Sequence, residues 1–193
     1  MAEKYFNSCA FTGHRPHRFP WKYVEDDPRC VNLKRVLYNE IEKLSASGVY
    51  HFFSGMALGV DVWAARMVLD LRSKYPNLLL HCILPCERQE IKWTVEDQNV
   101  YRDILRKADS VKYISQNYYN GCMLDRNRKL VSSAEILLAV YDGGQTGGTA
   151  TTVRYARQAK RDIIIIDPIS LQRQRIPAGP QFAQQRRKEY NGG

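Results

Sequence analysis

Apolar residues in this chain come in short, mostly continuous runs, separated by segments where they recur every three or four positions. The runs are Ser8–Thr12, Val49–Phe53, Leu78–Leu84, Ser110–Ser115, Ile136–Tyr141 and Ile163–Asp167. Runs of that length without polar alternation fit strands covered on both faces, as in a parallel sheet. The segments between them predict helices. Val31–Leu44 sets Val31, Leu33, Leu37, Ile41 and Leu44 largely on one side, and Val62–Leu71, Val100–Ala108, Leu124–Ala134 and Thr151–Ala159 behave likewise. Strand and helix in alternation predict an α/β fold: a doubly wound, mostly parallel sheet of about six strands with helices on both faces.

The conspicuous polar residues fall just after the strands. Gly13-His14-Arg15-Pro16 follows the first and Ser54–Asp61 the second. Pro85-Cys86-Glu87-Arg88-Gln89, with Trp93 beyond it, follows the third. Asn117–Asn120 and then Arg126-Asn127-Arg128 follow the fourth, and Gly143–Thr149 the fifth. In an open α/β sheet these carboxyl ends line one crevice where ligands bind. Two of the segments, Ser54–Asp61 and Gly143–Thr149, are glycine-bearing turns between a strand and a helix. That arrangement offers backbone N–H groups to a phosphate.

Each residue also has a plainer role. Gly55 and Gly59 serve ligand approach and close helix–sheet packing equally well. Gly147-Gly148-Thr149 is more specific, since two small residues leave donors uncovered; Thr149 either caps the helix or donates to a phosphate. Arg15 before Pro16 is held extended, and His14 beside it is otherwise a structural hydrogen bonder. Arg126 and Arg128 are two apart on a helix, so one faces a ligand at most and the other pairs with Asp125 or solvent. Asp61 caps its helix on dipole grounds or accepts from a ribose hydroxyl. Trp63 and Trp93 stack on a base or fill a core, with Gln89 and Trp93 the better placed for a ligand.

The 193 residues, 44% hydrophobic and 25% charged, are ordinary for a globular domain. One domain over residues 1–170 and a basic, flexible tail over 171–193 are expected. Net charge is +9. Arg173, Arg175, Arg186, Arg187 and Lys188 against Glu189 place +4 of it in the tail and leave +5 for the body, which suits phosphate ligands and solubility alike. Five cysteines at irregular spacing argue against a disulfide framework, and Cys82 and Cys86 lack partners at zinc spacing. No metal is expected. No run is long enough to span a membrane, and Met1–Tyr5 has no signal-peptide core. A cytoplasmic protein is expected.

Cys9–Pro16, Ser54–Asp61 with Trp63-Ala64-Ala65, Leu84-Pro85-Cys86 with Gln89 and Trp93, Arg126-Asn127-Arg128 and Gly147–Ala150 keep their order and spacing over about residues 8–168. In these the chain resembles the YpsA-like family of the SLOG superfamily. The resemblance implies a Rossmann-like fold and binding of a nucleotide or nucleotide-derived small molecule, in a sensor or regulatory role. It implies as ligand-binding residues Gly13, His14, Arg15, Ser54, Gly55, Gly59, Asp61, Gln89, Trp93, Arg126, Asn127, Arg128, Gly147, Gly148 and Thr149. Two relatives in the superfamily imply alternatives. Lonely Guy-type enzymes are N-glycoside hydrolases acting on nucleoside monophosphates, but Thr152 stands where they carry a catalytic Glu. DNA-processing protein A binds single-stranded DNA and has a similar glycine turn and Arg-Asn-Arg. Association into a homodimer is expected by the same analogy.

Overall fold

The structure, a computed structural model, describes residues 5–178. Seven strands form one sheet: β1 (Ser8–Gly13), β2 (His51–Ser54), β3 (Leu79–Leu84), β4 (Ser110–Tyr113), β5 (Ile136–Val140), β6 (Asp162–Ile166) and β7 (Arg173–Ile176). Five helices connect them: α1 (Pro28–Ala46), α2 (Val60–Leu71), α3 (Val95–Lys107), α4 (Cys122–Ser133) and α5 (Gly148–Gln158). The strand order is β4-β3-β2-β1-β5-β6-β7, parallel throughout except for the last pair. The fold is α/β and Rossmann-like. None of the described helices is long and apolar enough to cross a membrane.

Period-two alternation within the apolar runs builds two cores. Cys9, Phe11, Phe52, Leu138, Val140, Ile164 and Ile166 point to one face, where α1, α2 and α3 cover them. Ala10, Phe53, Leu137, Ala139, Ile163 and Ile165 point to the other, under α4 and α5. Successive side chains of a strand face opposite ways, so a strand buried on both faces must be apolar at every position. That is why the runs show no polar alternation.

Two elements depart from the sequence expectation. Helix α3 starts at Val95, five residues before the apolar period begins. Thr94 caps it by accepting the Asp97 N–H at 3.2 Å, so the polar first turn is held by its cap and not by burial. The second departure is β7, which makes seven strands where about six were expected and takes residues 173–176 out of the expected tail. This strand has almost no apolar content. Arg173 Nε donates to Glu40 on α1 at 2.8 Å, and Arg175 Nε donates to Asp162 on β6 at 3.1 Å. Both carboxylates are buried, at 4% exposure. A buried carboxylate needs a partner, and the basic edge strand supplies two. Residues 179–193, the rest of the expected tail, lie outside the described residues.

On the α4–α5 face, His51 Nδ1 and His81 Nε2 share a 2.9 Å hydrogen bond, and His81 Nδ1 pairs with Ser110 Oγ at 2.8 Å. Burial first, and the His51 ring second, push the His81 pKa down to about 4 from an ordinary 6.5.

Two outcomes follow for stability. Between pH 6.5 and about 4 the unfolded chain binds more protons at position 81 than the folded one. The contribution is therefore complete above pH 6.5 and disappears as pH falls toward 4. Urea unfolding at pH 5 should give a stability about 1–2 kcal/mol below that at pH 7, and His81→Gln should remove that part of the difference. Arg173→Ala and Arg175→Ala should each cost about 1–3 kcal/mol, because each leaves a buried carboxylate without its partner. A change below 0.3 kcal/mol in urea midpoint analysis would mean that the basic strand does not hold the edge.

Candidate functional site

The strand order reverses between β1 and β5, since the chain leaves β1 in one direction and reaches β5 from the other. Connections diverging from neighbouring strands leave a crevice at their carboxyl ends. A cavity of about 410 Å³ opens there. Its walls are the segment after β1, the starts of α2 and α4, and the turn leading into α5.

The helices around it end in an unusual way. Asp27 caps α1 by accepting the Arg29 N–H at 2.8 Å, and Thr94 caps α3. The three helices that border the cavity have no side-chain cap. Their N-cap residues are Gly59, Gly121 and Gly147, at φ of 99°, 107° and 97°. Their first N–H groups keep a partial positive charge that no side chain of the cap neutralises.

The two glycine turns differ in kind. The first is filled by the protein itself. Ser54 Oγ donates to the Asp61 carbonyl at 2.9 Å and accepts the Met56 N–H at 3.0 Å. The Ala57 N–H points to Asp61 Oδ2 at 3.4 Å, and the Gln89 amide donates to the Met56 carbonyl at 3.1 Å. Gly55 is where Arg126 lies. A Cβ at that position would sit 1.6 Å from Arg126 Nη1, so only glycine admits the guanidinium. Gly59 meets the chain after β1, with His14 O only 2.9 Å from where its Cβ would be. Gly13 clears Val60 in the same way, at 2.5 Å. The second turn is open: a Cβ on Gly147 would meet nothing within 4 Å, and one on Gly148 only Asn127 Nδ2 at 3.8 Å.

Arg126 and Asp61 form a pair at 3.4 Å, each about 95% buried. Arg126 Nε has no hydrogen-bond partner. Burial works against both charges. It pulls Arg126 below and pushes Asp61 above its ordinary value, and their mutual attraction does not make up the difference. Arg15, close enough to act on both, adds like charge against Arg126. A guanidinium keeps its charge in a protein, so the floor of the cavity is a cation short of acceptors. Nearby, His14 Nε2 lies 3.0 Å from Asp142 Oδ1, within ion-pair range but not aligned as a hydrogen bond. Burial raises Asp142, yet the Gly144 N–H and His14 outweigh it and hold the group below the usual carboxylate range.

Of the residues expected from the sequence, Gly13, His14, Arg15, Asp61, Arg126, Asn127, Gly147, Gly148 and Thr149 share this cavity. Ser54, Gly55, Gly59 and Gln89 build its floor from behind. Arg128 points away, donating to Asp125 at 3.0 Å and stacking over Tyr155. Trp93 packs edge-on against Tyr101, and Trp63 stacks on Phe19 while its Nε1 donates to Glu25 at 2.8 Å. Neither indole lines the cavity. Sequence reasoning passed over Arg18, which does; the signal was the basic cluster Arg15-Pro16-His17-Arg18.

The YpsA family model, described as the YspA SLOG family, matches residues 9–171. A UPF0398 protein of Brevibacillus brevis is 31% identical over 138 residues, covering 70% of this chain and 73% of its own length. A UPF0398 protein of Halalkalibacterium halodurans is 31% identical over 167 residues, covering 83% and 88%. Another, of Bacillus pumilus, is 28% identical over 149 residues, covering 76% and 80%.

Gly55→Ala tests the construction of the floor. The methyl must displace a buried guanidinium, and a stability loss of about 2–4 kcal/mol in urea unfolding is expected. Gly147→Ala, which has open space but an unfavourable φ, should cost only about 1 kcal/mol. Equal losses would contradict the distinction between the filled and the open turn.

Proposed function

This chain belongs to the YspA SLOG family, and from that premise we propose that it binds a nucleotide or nucleotide-derived small molecule in the crevice between β1 and β5. A phosphate sits at the amides of Gly147, Gly148 and Thr149, with Arg126 adding charge-assisted bonds. One observation carries the reading: Arg126, 5% exposed with Nε unpartnered, lines a cavity bordered by three helix starts without side-chain caps. Uncapped helix starts cost stability in an empty crevice, and an entering anion offsets that cost. Asn127 and Thr149, each 7% exposed on the same wall, supply polar contacts for the rest of the ligand.

The other readings draw less from the site. A glycoside hydrolase needs a carboxylate where this chain has Thr152, and Thr152 Oγ1 is buried in α5, donating to the Gly148 carbonyl at 2.8 Å. A single-strand groove would draw on Arg15, Arg126, Arg128, Tyr118 and Tyr119, but Arg128 is paired with Asp125 at 3.0 Å, and Arg126 with Asp61 at 3.4 Å, only 5% exposed at the floor of the crevice.

Thermal unfolding with nucleoside monophosphates, ADP-ribose and NAD at millimolar concentration tests the proposal. A ligand at a hundredfold excess over its Kd should raise Tm by about 5–10 °C. Arg126→Met should abolish the shift. Gly148→Ala, whose methyl meets only Asn127 Nδ2 at 3.8 Å, should fold normally and reduce it. No shift with any phosphate-bearing compound would refute the reading.

A further inference from the structure

The sequence left open whether the first glycine turn holds a second phosphate. The Met56 and Ala57 amides are taken by Ser54 Oγ and Asp61 Oδ2, and the space at Gly55 by Arg126, which favours a place elsewhere for a second anion. The cavity has another basic wall, the single 3-10 turn Pro16–Arg18 that follows β1. Arg15, Arg18 and His17 all line the cavity from it.

This turn is built to present cations. Its closing bonds run from the Arg18 N–H to the Arg15 carbonyl and from the Phe19 N–H to the Pro16 carbonyl, both at 3.0 Å. Arg15 stands extended just before the turn and Arg18 ends it, and both are exposed and line the cavity. Pro16 is buried, with Cδ and the Arg15 Cα against Gly59. Phe19, 3% exposed, stacks on Trp21 and Trp63 at centroid distances of 4.9 Å and 5.8 Å. The anchors point inward and the charges outward. The Arg15 side chain has no ion pair or hydrogen bond among the described residues. Arg18 reaches only Asp142, at 3.9 Å, and that carboxylate already serves His14 and the Gly144 N–H at 3.0 Å each. The cavity itself holds on the order of a dozen water volumes, far more than one phosphate fills.

We infer that the Arg15–Arg18 turn is a second anion subsite facing the one at Arg126 and the start of α5, so that the preferred ligand carries two linked phosphates: a nucleoside diphosphate or a derivative of one. The inference rests on the function proposed above and adds the class of ligand. Arg15 and Arg18 are exposed at the rim of the cavity, and Arg126 is buried at its floor.

Isothermal titration with AMP and with ADP, in the wild type and in an Arg15→Ala/Arg18→Ala variant, decides it. Both arginines are exposed, so the variant folds. The wild type should bind ADP at least tenfold more tightly than AMP. The double variant should lose about tenfold for ADP and less than threefold for AMP, bringing the two together. An Arg106→Ala/Lys107→Ala variant, which removes the same charge from α3, should keep the wild-type preference. Equal affinity for AMP and ADP in the wild type, or equal loss for both in the double variant, overturns the second subsite and leaves the first standing. Failure of both nucleotides and of inorganic phosphate to bind overturns the first along with it.

Discussion

The Arg126 guanidinium and the Asp61 carboxylate are withdrawn from water together, and much of the crevice is arranged around them. Gly55 has no side chain because the guanidinium occupies that space. The turn after β2 curls over Asp61, with Ser54 Oγ and the Ala57 N–H closing it. Gln89, from the loop after β3, ties down the Met56 carbonyl and reaches Tyr101 on α3. Three separate stretches of chain thus meet at one ion pair. A buried ion pair contributes little net stability compared with apolar residues of the same shape, because desolvation consumes most of the attraction. Packing alone would favour an apolar floor. What the pair does provide is a cation fixed in orientation at the bottom of a cavity, with one nitrogen still seeking an acceptor.

The ends of the helices follow the same logic. Away from the crevice, α1 and α3 begin with Asp27 and Thr94, whose side chains satisfy backbone donors at once. Around it, α2, α4 and α5 begin with glycine. The reversal of strand order brings these three starts together, so the topology collects partial positive charge at one place. On α2 Asp61 answers that charge from the first turn. On α5 no acidic residue lies in the first turn, and its turn is the open one. Charge asymmetry between two similar motifs, more than glycine content, separates the filled turn from the open one.

The fold was largely legible in the sequence because burial on both faces forces continuous apolar runs, and five strands carry them, while β4 at the sheet edge is half exposed. The start of α3 was hidden because residues 95–99 are held by a cap, and capping leaves no period. Strand β7 was hidden because its stability comes from Glu40 and Asp162, which are distant in sequence, and Arg-Gln-Arg reads as solvated charge until those partners are located. The crevice was legible as a place, since its residues cluster after strands. The roles within it were less so. Gly55 and Gly147 look alike in sequence, and their difference is decided by where a side chain from α4 comes to rest. Gln89 and Trp93 follow a strand just as His14 and Arg15 do, yet they turn toward α3.

A floor of this kind changes what binding must achieve. For an anion leaving water, desolvation is the main obstacle, and a mobile surface arginine adds the loss of its own rotamer freedom. Here Arg126 is already desolvated and immobile, held by Asp61 and walled by Gly55. The N–H groups of α5 are likewise fixed by the helix before any ligand arrives. Those costs fall on folding, and the ligand does not bear them again. Preorganised donors in a site shielded from water interact more strongly than the same groups at a surface. On the proposed function, exposed Arg15 and Arg18 would by contrast act through solvent, steering and selecting anions while Arg126 anchors them. Depth within one crevice therefore sorts its cations into a buried one, Arg126, and an exposed pair, Arg15 and Arg18.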